Sequence, residues 1–197
     1  MATLLETNGE RMTGGIGEAL DGADLCIAFS QSGPGVIDPR WVQKMARDAI
    51  VLACANPVPE IWPWEALAAG ARIVATGRSD FPNQVNNSLV FPGVFRGALD
   101  TRAQSITDEM AMAAAEELAA CGAALGLRDD RILASMGDDH VTARVAAATA
   151  VMAQRQGVAR LALTEDAAYR QAMAAIEAAH RGTQALCRDG VIATTTP

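Results

Sequence analysis

The sequence lacks a basic surplus. Its net charge is −7, so an unspecific grip on nucleic acid or on an anionic membrane is not its business. It lacks paired cysteines as well. Cys26, Cys54, Cys121 and Cys187 stand far apart with no Cys-x-x-Cys spacing, which argues against a disulfide framework or a zinc site. Cys26 and Cys54 sit inside apolar runs, where cysteine behaves as a small buried hydrophobe. No apolar run is long enough to span a bilayer. The opening Met-Ala-Thr-Leu-Leu-Glu-Thr-Asn has neither a basic region nor a long apolar core, so no secretory signal is expected and the cytoplasm is the expected compartment.

What is present suits a globular protein. Half of the 197 residues are hydrophobic, and alanine dominates the second half. A single domain over residues 1–197 is expected, with βα units over 1–100, a helical part over 101–187 and a frayed tail over 188–197. Three short apolar runs read as strands: 25–29, 49–55 and 72–76. They do not alternate apolar with polar, which predicts helices on both faces. Helices are expected between them, after Pro39 and from Pro63 to the stop at Gly70. Further helices are expected over 100–125, 139–156 and from Glu165 to about His180.

The three strands should end near Ser30, Asn56 and Gly77. Twenty-six residues separate the first two and 21 the second two, a spacing that suits successive right-handed βα units and a parallel sheet. Ligands in such folds sit beyond the carboxyl ends of the strands. Three loops should therefore face one site: Ser30-Gln-Ser-Gly-Pro-Gly35, Asn56-Pro-Val-Pro-Glu60 and the amide-rich stretch from Thr76 to Gly93. That stretch holds Asn83, Gln84, Asn86 and Asn87 between two prolines. Amides offer donors and acceptors without charge, as a small polar ligand needs. Gly, Pro and Asn are also ordinary turn formers; it is the convergence of three such loops that favours a ligand site.

Four segments carry a resemblance: 22–30, 55–61, 76–87 and 91–99. Read as Gly-Ala-Asp-Leu-Cys-Ile-Ala-Phe-Ser, Ala-Asn-Pro-Val-Pro-Glu-Ile, Thr-Gly-Arg-Ser-Asp-Phe-Pro-Asn-Gln-Val-Asn-Asn and Phe-Pro-Gly-Val-Phe-Arg-Gly-Ala-Leu, they resemble the bacterial malic enzymes. The likeness runs from about Glu6 through Ala120 and more loosely to Arg160. It departs at Gln31-Ser-Gly-Pro-Gly, where the family usually has Ala-Pro-Gly, and at Cys54 and Phe81, where it has Leu and Tyr.

The resemblance implies an α/β fold, part of a Rossmann-like parallel sheet of three main strands with Ala-rich C-terminal helices. It implies NAD or NADP as cofactor, malate and pyruvate as substrate and product, and Mg or Mn in the complete enzyme. It places Ser30, Ser32, Gly33 and Asn56 near the cofactor, and Asn56, Asn86 and Asn87 at the substrate, Asn87 foremost. Arg78 and Asp80 are expected to brace their loop as an ion pair. The resemblance begins midway through the family's cofactor domain, before which its glycine fingerprint, its tyrosine and lysine acid–base pair and its metal ligands would lie.

No residue here reads as a replacement for those groups. Lys44, the only lysine, suits a solvated helix charge, and Tyr169 suits a surface groove. Asp138 before His140 reads as a helix cap, Asp129-Asp130 as a loop, and His180 as a helix-end charge. No catalytic residue and no metal ligand is therefore assigned. The expected role is a share of the cofactor and malate site of an oxidoreductase, inactive alone. The alternative is a non-catalytic small-ligand-binding or oligomerisation module. An apolar strand at 25–29 left at the sheet edge would need cover from a second copy or a partner segment.

Overall fold

The computed structural model describes residues 7–9 and 11–193. The start of the opening stretch read for a signal and the end of the tail lie outside them. The chain divides into two compact units: residues 1–86 with 127–132, and residues 87–126 with 133–197.

The first unit carries the sheet. In order it holds α1 (Ile16–Ala19), β1 (Leu25–Ala28), α2 (Pro39–Val42), β2 (Ile50–Ala53), α3 (Pro63–Ala68) and β3 (Ile73–Thr76). The strands are parallel in the order β1-β2-β3. Ala28 pairs with Ala53 and Ala53 with Thr76, so all three strands end level. The helices start where local chemistry allows. Asp38 caps α2 by accepting from the Arg40 amide at 2.8 Å, and Pro39 and Pro63 occupy first-turn positions where no N–H is needed. Gly70, at φ +107°, turns the chain out of α3.

One face of the sheet is closed. Cys26, Val51, Ala53 and Val74 pack with Ile37, Val42, Ile61 and Ala66 in one buried cluster. Residues of opposite parity on β1 remain exposed, Leu25 at 47 % and Ile27 at 53 %, as does Phe29 just past its end at 79 %. The expectation of two covered faces thus fails at β1, although helices do bury the other side. The far edge is covered: Gln84 bridges to Thr76, and the Asn83 amide donates to the Val74 carbonyl at 3.1 Å.

The second unit is helical. A 3-10 turn at Asn87–Leu89 leads into α4 (Phe91–Asp100), α5 (Asp108–Ala124), α6 (Asp139–Arg155) and α7 (Glu165–Arg188). Many of its buried side chains are alanines, Ala114, Ala143, Ala146, Ala147, Ala150, Ala153, Ala168 and Ala172, beside larger ones such as Leu89, Met110, Leu118 and Val145. Gly93 and Gly97 let α4 lie against α6. A Cβ on Gly97 would stand 2.4 Å from the Ala146 carbonyl oxygen, and one on Gly93 2.6 Å from a Val145 methyl.

The helix expected over 100–125 starts eight residues late, and an unexpected helix, α4, precedes it. Asp100 ends α4 and Asp108 opens α5. Arg102 takes φ +50°, its amide donates to the Leu99 carbonyl and the Ala103 amide to the Ala98 carbonyl. This is the closure usually built on glycine; an arginine there gave no sequence signal. Thr107 then caps α5 by accepting from the Met110 amide at 3.2 Å, with Asp108 and Glu109 in the first turn. The last helix runs past His180 to Arg188 and ends at Gly190, φ +70°.

Candidate active site

The level strand ends bring the first two loops together, and the bonds between them are numerous. Ser32 Oγ donates to the Val58 carbonyl and accepts from the Val58 amide, both at 3.2 Å. The Gly33 amide donates to the Val58 carbonyl at 3.2 Å. The amides of Gly35 and Ile37 donate to the Glu60 carbonyl at 3.1 and 3.2 Å. The Glu60 carboxylate, wholly buried, accepts from Ser30 N and Ser30 Oγ on one oxygen and from Ala55 N on the other.

The third loop joins through Asn56 and Arg78. A Cβ on Gly77 would meet the Asn56 amide at 3.1 Å, so the bare glycine is what allows that side chain to lie across the end of β3. Arg78 donates to the Pro57 carbonyl at 2.9 Å, pairs with Asp80 at 2.7 Å and stacks its guanidinium over Phe81. That pairing holds the Asp80 carboxyl below its ordinary range, chiefly through the Arg78 hydrogen bond. Arg78 is thus occupied as a brace.

Each residue singled out in the sequence can be located. Ser30, Ser32, Gly33, Asn56 and Asn86 lie in the first unit, and Asn87 opens the second. Ser30, Ser32 and Asn56 are exposed. Gly33 and Gly35 have φ of +129° and +93°, and an added Cβ on either would meet nothing. The backbone is therefore open to a ligand along that loop. Asn86 donates to the Gly77 carbonyl at 3.1 Å. Asn83 is structural: buried, at φ +57°, it donates to the carbonyls of Val74 and Asp129 and accepts from the Ile132 amide. It staples the 127–132 segment to β3 and has no side-chain surface to spare.

Other candidates take ordinary roles. Asp138 caps α6 by accepting from the His140 amide at 3.1 Å. The Tyr169 hydroxyl sits 2.6 Å from His140 Nδ1, and His180 lies 3.5 Å from Asp139. Burial pushes the Cys54 thiol above its ordinary pKa, with the Glu60 charge adding to the effect, so it is no thiolate nucleophile at neutral pH. Among the described residues no cluster of His, Cys, Asp or Glu could hold a metal, and no helix is long and apolar enough to cross a membrane. Glu60 went unremarked in the sequence. A glutamate four residues after Asn56 gives no hint of burial until the fold closes over it.

The fit to a dinucleotide is partial but specific. An open glycine loop, two exposed hydroxyls and an exposed amide at the level ends of parallel strands suit a ribose and a nicotinamide amide. The one arginine bound into this loop cluster, Arg78, is already paired, so the cluster offers hydrogen bonds to a ligand and not a free cation.

Comparison with known proteins agrees with that geometry. Residues 34–155 match the family model described as malic enzyme, NAD binding domain. The bifunctional malic/malolactic enzyme of Bacillus subtilis is 46 % identical over 155 residues, covering 79 % of this chain and 37 % of the relative. The NADP-dependent malic enzyme of Rhizobium meliloti is 43 % identical over 81 % of this chain and 23 % of its own length. The malic enzyme structure from Entamoeba histolytica superposes with a TM-score of 0.90 at 45 % identity, over 93 % of this chain and 38 % of that one. The chain therefore spans well under half the length of these relatives. With the family model covering most of its length and the fold shared, the chain belongs to the malic enzyme family, through that family's NAD-binding domain.

Proposed function

We propose that this chain contributes part of the cofactor and malate site of a malic-enzyme-type oxidoreductase, which converts malate to pyruvate by oxidative decarboxylation with NAD or NADP. The observation that carries the reading is the interlocked pair of loops at the strand ends, with Asn56 exposed between them and open space over Gly33 and Gly35. The cofactor, when bound, accepts the hydride. The chain's own residues bind and orient. Ser30, Ser32 and the Gly33 backbone line the cofactor. The Asn56 amide serves the nicotinamide ribose and the substrate, and Asn86 and Asn87 hold malate. None of them moves a proton, and the divalent ion of the resemblance finds no ligand set among the described residues.

Association and compartment follow from the same reading. β1 is the edge strand of the order β1-β2-β3, and its outer backbone edge is a pairing hazard unless covered, with Leu25 and Ile27 adding exposed apolar surface on its open face. A second copy or a polypeptide segment outside this chain is assigned to it. A sedimentation profile of a single monomer at high micromolar concentration would remove that part. Four free thiols suit the reducing cytoplasm.

The test is a titration of the purified chain with NADH and NADPH, followed by nicotinamide fluorescence. Saturable binding by at least one is expected, weakened about tenfold in Asn56→Ala, the loss of one good polar contact. Absence of binding to either nucleotide by the wild-type chain would refute the reading.

A further inference from the structure

We propose that Glu60 is the positioning residue of the dinucleotide site: its buried carboxylate fixes the first two strand-end loops relative to each other. The inference rests on the function assigned above, and it adds the residue that keeps Ser30 and Asn56 at a set distance.

The geometry is a three-donor clamp. Oε1 accepts from the Ser30 amide at 2.8 Å and from Ser30 Oγ at 3.0 Å. Oε2 accepts from the Ala55 amide at 3.0 Å. Ser30 begins the first loop two residues past β1, and Ala55 precedes Asn56 two residues past β2. One planar group therefore spans the gap between two neighbouring strands just where they stop pairing. The Glu60 backbone oxygen adds the amides of Gly35 and Ile37, so the far end of the first loop is tied to the same residue.

No lysine or arginine accompanies the carboxylate in these bonds. Glu60 is wholly buried, and its two carboxylate oxygens are held by these donors. This choice of residue is not needed for packing, since an apolar side chain of similar volume would fill the space. It is needed because three donors point inward and each would otherwise be unsatisfied. Glutamine is the informative replacement. Its shape is the same, yet its NH2 group must face either the Ser30 or the Ala55 amide, donor against donor.

A residue that only held the fold would lower affinity in proportion to stability; a positioning residue lowers it beyond that. Glu60→Gln is therefore compared with Val51→Ala, a core truncation in the same unit. Both variants lose stability. The NADH dissociation constant is expected to rise at least tenfold in Glu60→Gln and to stay within twofold in Val51→Ala. Equal changes in the two would overturn the proposal. Amide hydrogen exchange on the free chain gives a second readout that needs no ligand. In Glu60→Gln the amides of Ser30 and Ala55 should exchange at least tenfold faster relative to the β2 ladder amides. Unchanged relative exchange would overturn it.

The two arms separate the two claims. A wild-type chain that binds no dinucleotide refutes the assigned function, and exchange still decides whether Glu60 is the clamp. If Glu60→Gln does not fold, Ser30→Ala removes a single donor, and exchange at Ala55, which Ser30 does not touch, is read instead. Faster exchange supports the clamp; no change overturns it.

Discussion

The two units solve the same problem with different chemistry. The first buries branched side chains such as Ile37, Val42, Val51, Ile61 and Val74 under a short sheet, and fixes its loops with side chains that bond to backbone: Glu60, Asn83, Asn86 and Ser32. The second also buries Met110, Leu118 and Val145, but sets many alanines beside them. Its helices α4 and α6 approach until only glycine fits at Gly93 and Gly97, and α7 rests on α6 through Ala168 and Ala172. The contrast teaches where each unit is fragile. A unit held by close backbone approach is intolerant of added atoms, and a unit held by polar staples is intolerant of lost ones.

The sharpest way to break this contrast is to add one methyl group. Gly97→Ala puts a Cβ within 2.4 Å of the Ala146 carbonyl oxygen and 2.8 Å of the Thr149 side chain. Neither the backbone nor a packed helix can yield cheaply, so a loss of about 3 kcal/mol is expected in urea denaturation followed by helical circular dichroism. A loss below about 1 kcal/mol would mean that α4 and α6 are looser than the contacts imply.

The matching cut in the first unit removes a staple. Asn83→Ala leaves the Val74 and Asp129 carbonyls and the Ile132 amide short of a partner, and puts alanine at φ +57°. About 2 kcal/mol of stability should go, by the cost of unsatisfied buried groups. Because Asn83 has no free surface, NADH affinity should fall no further than stability explains. A large affinity loss at unchanged stability would return Asn83 to the ligand site.

A glycine that touches nothing sharpens the point in the other direction. Gly182 lies inside α7 with open space at its Cβ position. Gly182→Ala should stabilise the chain by about 0.5–1 kcal/mol, the ordinary helix preference of alanine. Gly97 and Gly182 then have opposite signs for the same substitution, and only the neighbouring helix separates them.

The smallest effect concerns Asp38. Its hydrogen bonds with Arg40, side chain first and backbone second, hold its carboxyl down at about 2, below its unfolded value. The stability it lends to α2 is therefore present above the unfolded pKa, near 4, and is lost as pH falls through about 2. An NMR titration of the Asp38 carboxyl carbon should show a midpoint displaced downward in the wild type and moved part of the way back in Arg40→Ala, which keeps the backbone donor.

Much of this was legible in the sequence. The three apolar runs and their spacing led to the parallel sheet, because a buried strand must be apolar and its return crossover needs a minimum of chain. Start signals at Pro39, Pro63 and Asp138 were readable for the same local reason. The break between α4 and α5 was not, because Arg102 occupies a left-handed position that sequence rules reserve for glycine. Gly93 and Gly97 were equally silent: helix propensity counts against them, and their value lies wholly in the partner helix. In the amide-rich loop Asn83 turned inward to the Asp129 carbonyl, 46 residues away in sequence, a partner that no local pattern marks.

By itself the sequence determined the three strands, the helices that open at Pro39, Pro63, Asp139 and Glu165, and which loops follow strand ends, since all of these depend on residues a few positions apart. Only the tertiary structure decided that the strands end level, that Glu60 lies between two loops, and that β1 keeps one flank exposed. Those outcomes depend on which distant groups meet, and a hydrogen bond or a close contact acquires its energy only once both partners have been brought within reach.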